Sequence, residues 1–239
     1  VKDGEGGTEG GTNKSEVGAL GPVIVRPYTE ADIPRLMELQ RACFPPPYPE
    51  EQLWNAGQLK AHIARFPEGA LCAEVDGVIA GSCTSLIIKF DPEHPHHTWA
   101  EVADNGYIST HDPNGDTLYG IDMAVHPDYR RRGIARRMYE ARYDLVRRLG
   151  LKRFLAGGRM PGYGGYADRM SPEEYADRVI RGELIDPVLT PQLRAGLRPV
   201  AVLRGYLPDE ESRDAALLLE WPNPDFEGNA AGPEDSAQA

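Results

Sequence analysis

The 239-residue chain contains no run of about 18 apolar residues, which excludes a membrane-spanning helix. Cysteine is scarce: Cys43, Cys72 and Cys83 are odd in number and lack C-x-x-C spacing, so neither a disulfide framework nor a cysteine zinc site is expected. Positive charge is in the minority, with 26 basic against 37 acidic residues and a net charge of −11. That sign argues against nucleic acid as a partner. The first residues show no basic-then-apolar leader pattern, so a cytoplasmic, reducing setting without membrane attachment is the expectation. What is present, 41% hydrophobic and 26% charged residues, is ordinary globular composition.

Basic residues are nevertheless concentrated in one place. Between Arg130 and Arg153 stand ten basic residues and two acidic ones, Glu140 and Asp144. Residues 1–21 hold seven glycines and little that is apolar, and read as an N-terminal tail. Residues 222–239 hold three prolines and no Leu, Ile or Val, and read as a C-terminal tail. One domain is expected over 22–221.

Within it, a β-branched stretch from Val23 precedes Thr29, an N-cap residue, and an amphipathic helix through Ile33, Leu36 and Met37. Four prolines after Cys43 stop that helix, and a second is expected over roughly Glu51 to Phe66. Asp76-Gly77 joins two strands as a hairpin. Residues 91–116 read as a long excursion, followed by a strand from Leu118 to Val125. A helix from about Arg132 to Leu149 carries a stripe of Ile134, Met138, Ala141, Leu145 and Leu149, with arginines expected on the opposite face. Gly150 ends it. A short strand from Arg153, a Gly-rich loop over 157–166, a helix from Ser171 to about Arg181 and two closing strands complete an α/β (α+β) pattern.

Chemistry concentrates where the strand ending at Val125 passes through a basic loop into a helix whose first turn contains Gly133. The first N–H groups of a helix lack internal partners and the helix dipole is positive there. A glycine lets an anion approach the backbone, and the arginines add charge: a diphosphate cradle. It lacks the Lys-Ser/Thr of a P-loop and a full G-x-G-x-x-G. His94, His96, His97 and His111 match no standard metal spacing, so no metal is expected.

Arg130-Arg131-Arg132-Gly133-Ile134-Ala135, with Met123 to Pro127 and Tyr129 ahead of it, resembles the Q/R-x-x-G-x-G/A signature of GCN5-related N-acetyltransferases. Gly157 to Tyr163 and Asp186 to Thr190 further resemble the acetyltransferase module that some bacteria fuse to a carbon–nitrogen hydrolase. The resemblance implies a single GNAT-like domain with a mixed sheet of about seven strands flanked by helices. It implies an acyl-CoA co-substrate, usually acetyl-CoA, held by Met123, Ala124 and Val125 and by the loop Arg130, Arg131, Arg132, Gly133, Ile134, Ala135 and Arg136. The Val125 amide would face the thioester carbonyl as an oxyanion donor. The implied reaction is direct acyl transfer to a primary amine, on a small molecule or a peptide, in a ternary complex.

A base and an acid are then required. Asp122 is the candidate base, the only carboxylate on its strand. Alternation places it on the face opposite Met123 and Val125 unless a bulge intervenes. Family members commonly carry an acid tyrosine four residues before a Gly-Phe pair. Here Gly196-Leu197 takes the place of that pair, and Gln192 stands where the tyrosine would be. Tyr163 and Tyr166 are the replacement candidates, with Tyr119 a third. The competing reading is an acyl-CoA-binding sensor or partner module without turnover. The closing strands either complete a homodimer or cap the sheet.

Overall fold

The computed structural model describes residues 21–46, 48 and 50–227; of the tails expected over 1–21 and 222–239, residues 1–20 and 228–239 lie outside the described residues. The sheet has seven strands in the order β1-β2-β3-β4-β5-β7-β6. They are β1 (Ile24–Pro27), β2 (Ala70–Val75), β3 (Val78–Ile88), β4 (Thr117–Val125), β5 (Arg153–Arg159), β6 (Arg198–Leu203) and β7 (Ala216–Pro222). The helices are α1 (Ile33–Cys43), α2 (Ala56–Arg65), α3 (Trp99–Ala103), α4 (Ile134–Arg148), α5 (Pro172–Ile180) and α6 (Leu189–Arg194). This is the expected mixed sheet flanked by helices. None of the helices is long and apolar enough to cross a membrane, among the described residues.

Local chemistry sets the boundaries. Thr29 and Asp32 form a capping box ahead of α1, and Asp32 also takes Arg26 at 2.9 Å and Arg35 at 2.6 Å. Asn55 accepts from the Gln58 amide and starts α2 several residues later than the sequence pattern suggested. Asp76 (φ 49°) and Gly77 (φ 78°) both adopt the left-handed conformation that a two-residue hairpin turn demands. Two short helices escaped the sequence pattern: α3, inside the excursion and capped by Thr98, and α6. At five and six residues, neither is long enough to display a helical period.

Alternation along β2 defines the two faces of the sheet. Ala70 and Cys72 join a core with Tyr28, Leu36 and Phe66, while Leu71, Ala73 and Val75 join Ile134 and Met138 of α4. Met138 and Leu118 are fully buried, each side chain stabilising the fold by about 1.5–3 kcal/mol. The buried face of α4 is broader than the expected stripe. It adds Tyr139, Tyr143 and Val146 and, against expectation, Arg142, which is turned under the sheet rather than into solvent. At the far end, β7 runs one residue past the expected boundary at Trp221. Asn223 then ties the chain down, its amide donating to the Lys152 carbonyl and its side chain to the Leu151 carbonyl.

Every neighbouring pair of strands is antiparallel except β4 and β5, which run parallel on either side of the α4 crossover. Their pairing covers only Thr117–Gly120 against Arg153–Ala156. Beyond it β4 continues to Val125 along β3, and β5 continues to Arg159 along β7. A gap therefore opens in the middle of the sheet.

Candidate active site

The gap exposes one edge of β4. The His126 amide donates to the Ala80 carbonyl at 2.9 Å, which fixes the antiparallel alternation: Ala124 turns its amide toward β3, as His126 does. Met123 and Val125 turn theirs the other way, into the gap. Arg130 Nε donates back to the Val125 carbonyl at 3.2 Å. The Val125 N–H meets the Cys43 thiol at the end of α1, and burial raises that thiol to about 11.

The chain then passes through a single 3-10 turn, Pro127–Tyr129, and reverses into α4. Arg131 (φ 61°) and Gly133 (φ 78°) are both left-handed, and Gly133 is the N-cap of α4 with no side chain capping it. A Cβ at Gly133 would meet nothing within 4 Å, so the backbone there is open to a close-lying ligand. The first-turn amides of Ile134, Ala135 and Arg136 point out at the positive end of the helix dipole.

Charge is arranged to match. Arg136 and Arg137 are paired with Glu140, Arg147 with Asp144, Arg148 with Glu68, Lys152 with Asp116 and Arg153 with Glu220. Arg130, Arg131 and Arg132 have no carboxylate within ion-pair distance among the described residues, and Arg132 lies over the Tyr129 ring at 5.6 Å. A diphosphate fits this loop: helix-terminal amides, arginines without a carboxylate partner among the described residues, and no side chain over Gly133.

Asp122 sits at a β-bulge. Thr84 pairs with Asp122 and Ser85 with Gly120, leaving Ile121 as the extra residue. The carbonyls that the bulge releases find side-chain donors. Trp99 Nε1 reaches Ile121 O at 3.0 Å, and Arg142 Nη2 reaches Thr84 O at 2.9 Å and Asp122 O at 2.5 Å. The bulge lies before Asp122, so its carboxylate still faces away from Met123 and Val125. It points toward α1 and Trp54, accepting from the Thr84 amide at 2.8 Å, Trp54 Nε1 at 3.0 Å and Gln40 Nε2 at 3.4 Å. Burial pushes its pKa above the ordinary carboxylate value, opposed by the Trp54 hydrogen bond and the Arg142 charge.

The Gly-rich loop is tied down elsewhere. Asp186, fully buried, accepts from the Gly162 amide, the Tyr175 hydroxyl and the amides of Val188 and Leu189. Tyr163 and Tyr166 pack around Tyr175, with ring centroids 5.6 and 5.5 Å from it, and the Tyr163 hydroxyl is committed to the Met170 carbonyl at 3.3 Å. Gln192 lies buried against Gly158, its side chain reaching the Tyr139 hydroxyl and its Oε1 left without a partner. Sequence reasoning missed Gln40, Trp54, Thr84, Cys43 and Arg142. They arrive from distant segments, and only Asp122 stood on the strand where the loop motif drew attention.

The model of the acetyltransferase (GNAT) family matches residues 33–161. An uncharacterized N-acetyltransferase of Bacillus subtilis, YkwB, is 48% identical over 201 residues, covering 84% of this chain and 89% of that protein. The probable hydrolase YhcX of the same organism is 45% identical over 205 residues; the match takes in 85% of this chain and 39% of YhcX. Among solved structures, the GNAT-like decarboxylase GphF in complex with isobutyryl-CoA superposes with a TM-score of 0.71 at 22% identity, covering 84% of this chain and 99% of that one. At that identity the likeness is one of fold.

Proposed function

The chain belongs to the acetyltransferase (GNAT) family, and on that premise we propose that it is an acyl-CoA-dependent N-acyltransferase acting directly on a primary amine. The observation that supports this reading is the edge of β4 beyond Gly120 that has no strand partner and leads into the open Gly133 end of α4. Arg130 to Arg136 would hold the diphosphate of acetyl-CoA, and the Met123 to Val125 edge would pair with its pantetheine amides as an added strand does. The Val125 amide would take the thioester carbonyl in place of the Cys43 sulfur, and donate to the oxygen as negative charge develops on it. Asp122 would accept the proton that the nitrogen sheds as the amide bond closes, and the departing sulfur would gain one. The acceptor is a small-molecule or peptide amine.

A second reading, an acyl-CoA-binding module without turnover, draws on Gln192 standing where an acid tyrosine is common and on the commitment of Tyr163 to packing. Two measurements separate the readings. Titration calorimetry with acetyl-CoA gives a saturable heat under either, and absence of binding at millimolar ligand eliminates both. Release of free thiol from acetyl-CoA across a panel of primary amines occurs only under the first.

A further inference from the structure

A row of three titratable side chains lies beside the gap and takes no part in the chemistry above. His97 Nδ1 is 2.8 Å from the Pro95 carbonyl, a group that can only accept, so Nδ1 carries the proton of the neutral ring. Nε2 is then an acceptor, 2.7 Å from the Tyr119 hydroxyl. Tyr119 donates to His97 and in turn receives from Tyr206, whose hydroxyl is 3.0 Å away. One backbone carbonyl thus sets the direction of the whole row: Tyr206 to Tyr119 to His97.

The row is rigidly held. Tyr206, on the connection between β6 and β7, accepts the Trp99 amide on its carbonyl at 2.7 Å and donates its own amide to Asp214 at 2.8 Å. The His97 ring stands edge-on to both tyrosines, at 5.3 and 6.0 Å. The inner end lies at the gap: a Cβ on Gly157 would come 2.5 Å from the Tyr206 hydroxyl oxygen. Gly157 is the first residue of β5 after its last parallel pair with β4, Gly120 with Ala156. Tyr119 and Tyr206 are buried and His97 is half-buried, so the row leads from the buried side of the gap, beside Gly157, toward solvent.

We propose that Tyr206, Tyr119 and His97 form a proton exit that converts an incoming ammonium to the free amine. Acylation of an ammonium by a thioester yields an amide, a thiol and one released proton. That proton leaves the nitrogen for the Tyr206 oxygen as Tyr206 passes its own to Tyr119 and Tyr119 passes its own to His97 Nε2; the imidazolium then loses it to water. No net charge remains on either phenol. Burial holds both phenols above their ordinary pKa, so they relay rather than store charge. The groups facing His97 are the Pro95 carbonyl and Glu101, which favour its protonation, and His96, which opposes it, besides the two tyrosines. Burial outweighs them and keeps the ring neutral and ready to accept.

The exit rests on the transferase reading, and its test keeps the two apart. Tyr206→Phe, Tyr119→Phe and His97→Gln are assayed with acetyl-CoA against two acceptors. One is the alkylamine that the wild type turns over fastest; the other is methoxyamine, which is neutral at pH 7. With the alkylamine, each variant is expected to lose on the order of 100-fold in kcat, with the acetyl-CoA KM unchanged, and to regain rate as pH rises toward the pKa of the amine. With methoxyamine the variants are expected to match the wild type. Equal losses with both acceptors, or no loss with either, overturns the exit alone. A wild-type protein that releases thiol with neither acceptor removes the transferase reading and the exit together.

Discussion

Arg142 and Asp122 oppose each other across strand β4. The guanidinium is buried on the α4 side and donates at 2.5 Å to the carbonyl of the residue whose carboxylate projects from the other side. One side chain therefore both props the bulge and lends its charge to the candidate base. Arg142→Met is expected to leave the Thr84 and Asp122 carbonyls unpaired, at a cost of about 1–3 kcal/mol each. It also removes the positive charge that lowers the pKa of Asp122, so the acid limb of the pH–rate profile should move to higher pH. Arg142→Lys restores charge without the fork and should return the limb toward the wild-type position. Denaturant melts measure the first effect and kcat against pH the second.

Asp122→Asn keeps the size of the side chain and removes its basicity. A loss of 10²- to 10⁴-fold in kcat is expected, with acetyl-CoA affinity unchanged by calorimetry. In the wild type the rate should climb with pH through a midpoint above the ordinary carboxylate value of 3.8, because burial favours the protonated form that cannot accept. A variant that keeps wild-type turnover would relieve Asp122 of its role.

Gly133→Ala separates conformation from crowding. Nothing lies within 4 Å of the added methyl, so its structural cost is that of a left-handed φ of 78°, about 1–2 kcal/mol. Acetyl-CoA affinity should fall by more than that backbone cost accounts for, because the methyl would stand where the proposed site receives the diphosphate. Calorimetry beside thermal melts distinguishes the two losses.

His62 supplies a stability signature independent of the site. Its Nε2 bonds the Gly106 carbonyl at 2.6 Å and its Nδ1 meets the Tyr28 hydroxyl at 2.8 Å, and burial lowers its pKa from 6.5 to about 4. The folded state prefers the neutral ring, so this contribution is complete above pH 6.5 and declines as the unfolded chain takes up the proton more readily. Between pH 6.5 and 4 the loss amounts to about 3 kcal/mol. His62→Gln should flatten that part of the stability-against-pH curve while lowering the neutral-pH plateau.

Much of this was legible in the amino-acid sequence, for identifiable reasons. The Asp76-Gly77 turn, the stop at the proline run, Gly150 at the end of α4 and the Arg130 to Ala135 loop are local events, encoded within a few neighbouring residues. Arg142 was misplaced because a periodic pattern assigns charge to solvent, whereas here the carbonyls freed by a bulge in other elements, with the Phe154 ring, hold its guanidinium under the sheet. The side chains around Asp122 come from α1, from the segment before α2 and from β3. Those positions converge through strand register, which no single segment records. The Tyr206 connection was invisible for the same reason. Its significance lies in where Gly157 and Tyr119 come to rest in three dimensions.

The parallel seam has a mechanical meaning. Four register pairs, Thr117–Gly120 with Arg153–Ala156, are all that weld two antiparallel panels into one sheet, and α4 straps them across the weld. Whatever slides in along the bare side of β4 becomes a second fastening for the same joint. Occupancy of the gap would then raise the stiffness of the protein, and slower amide exchange along the weld would register it.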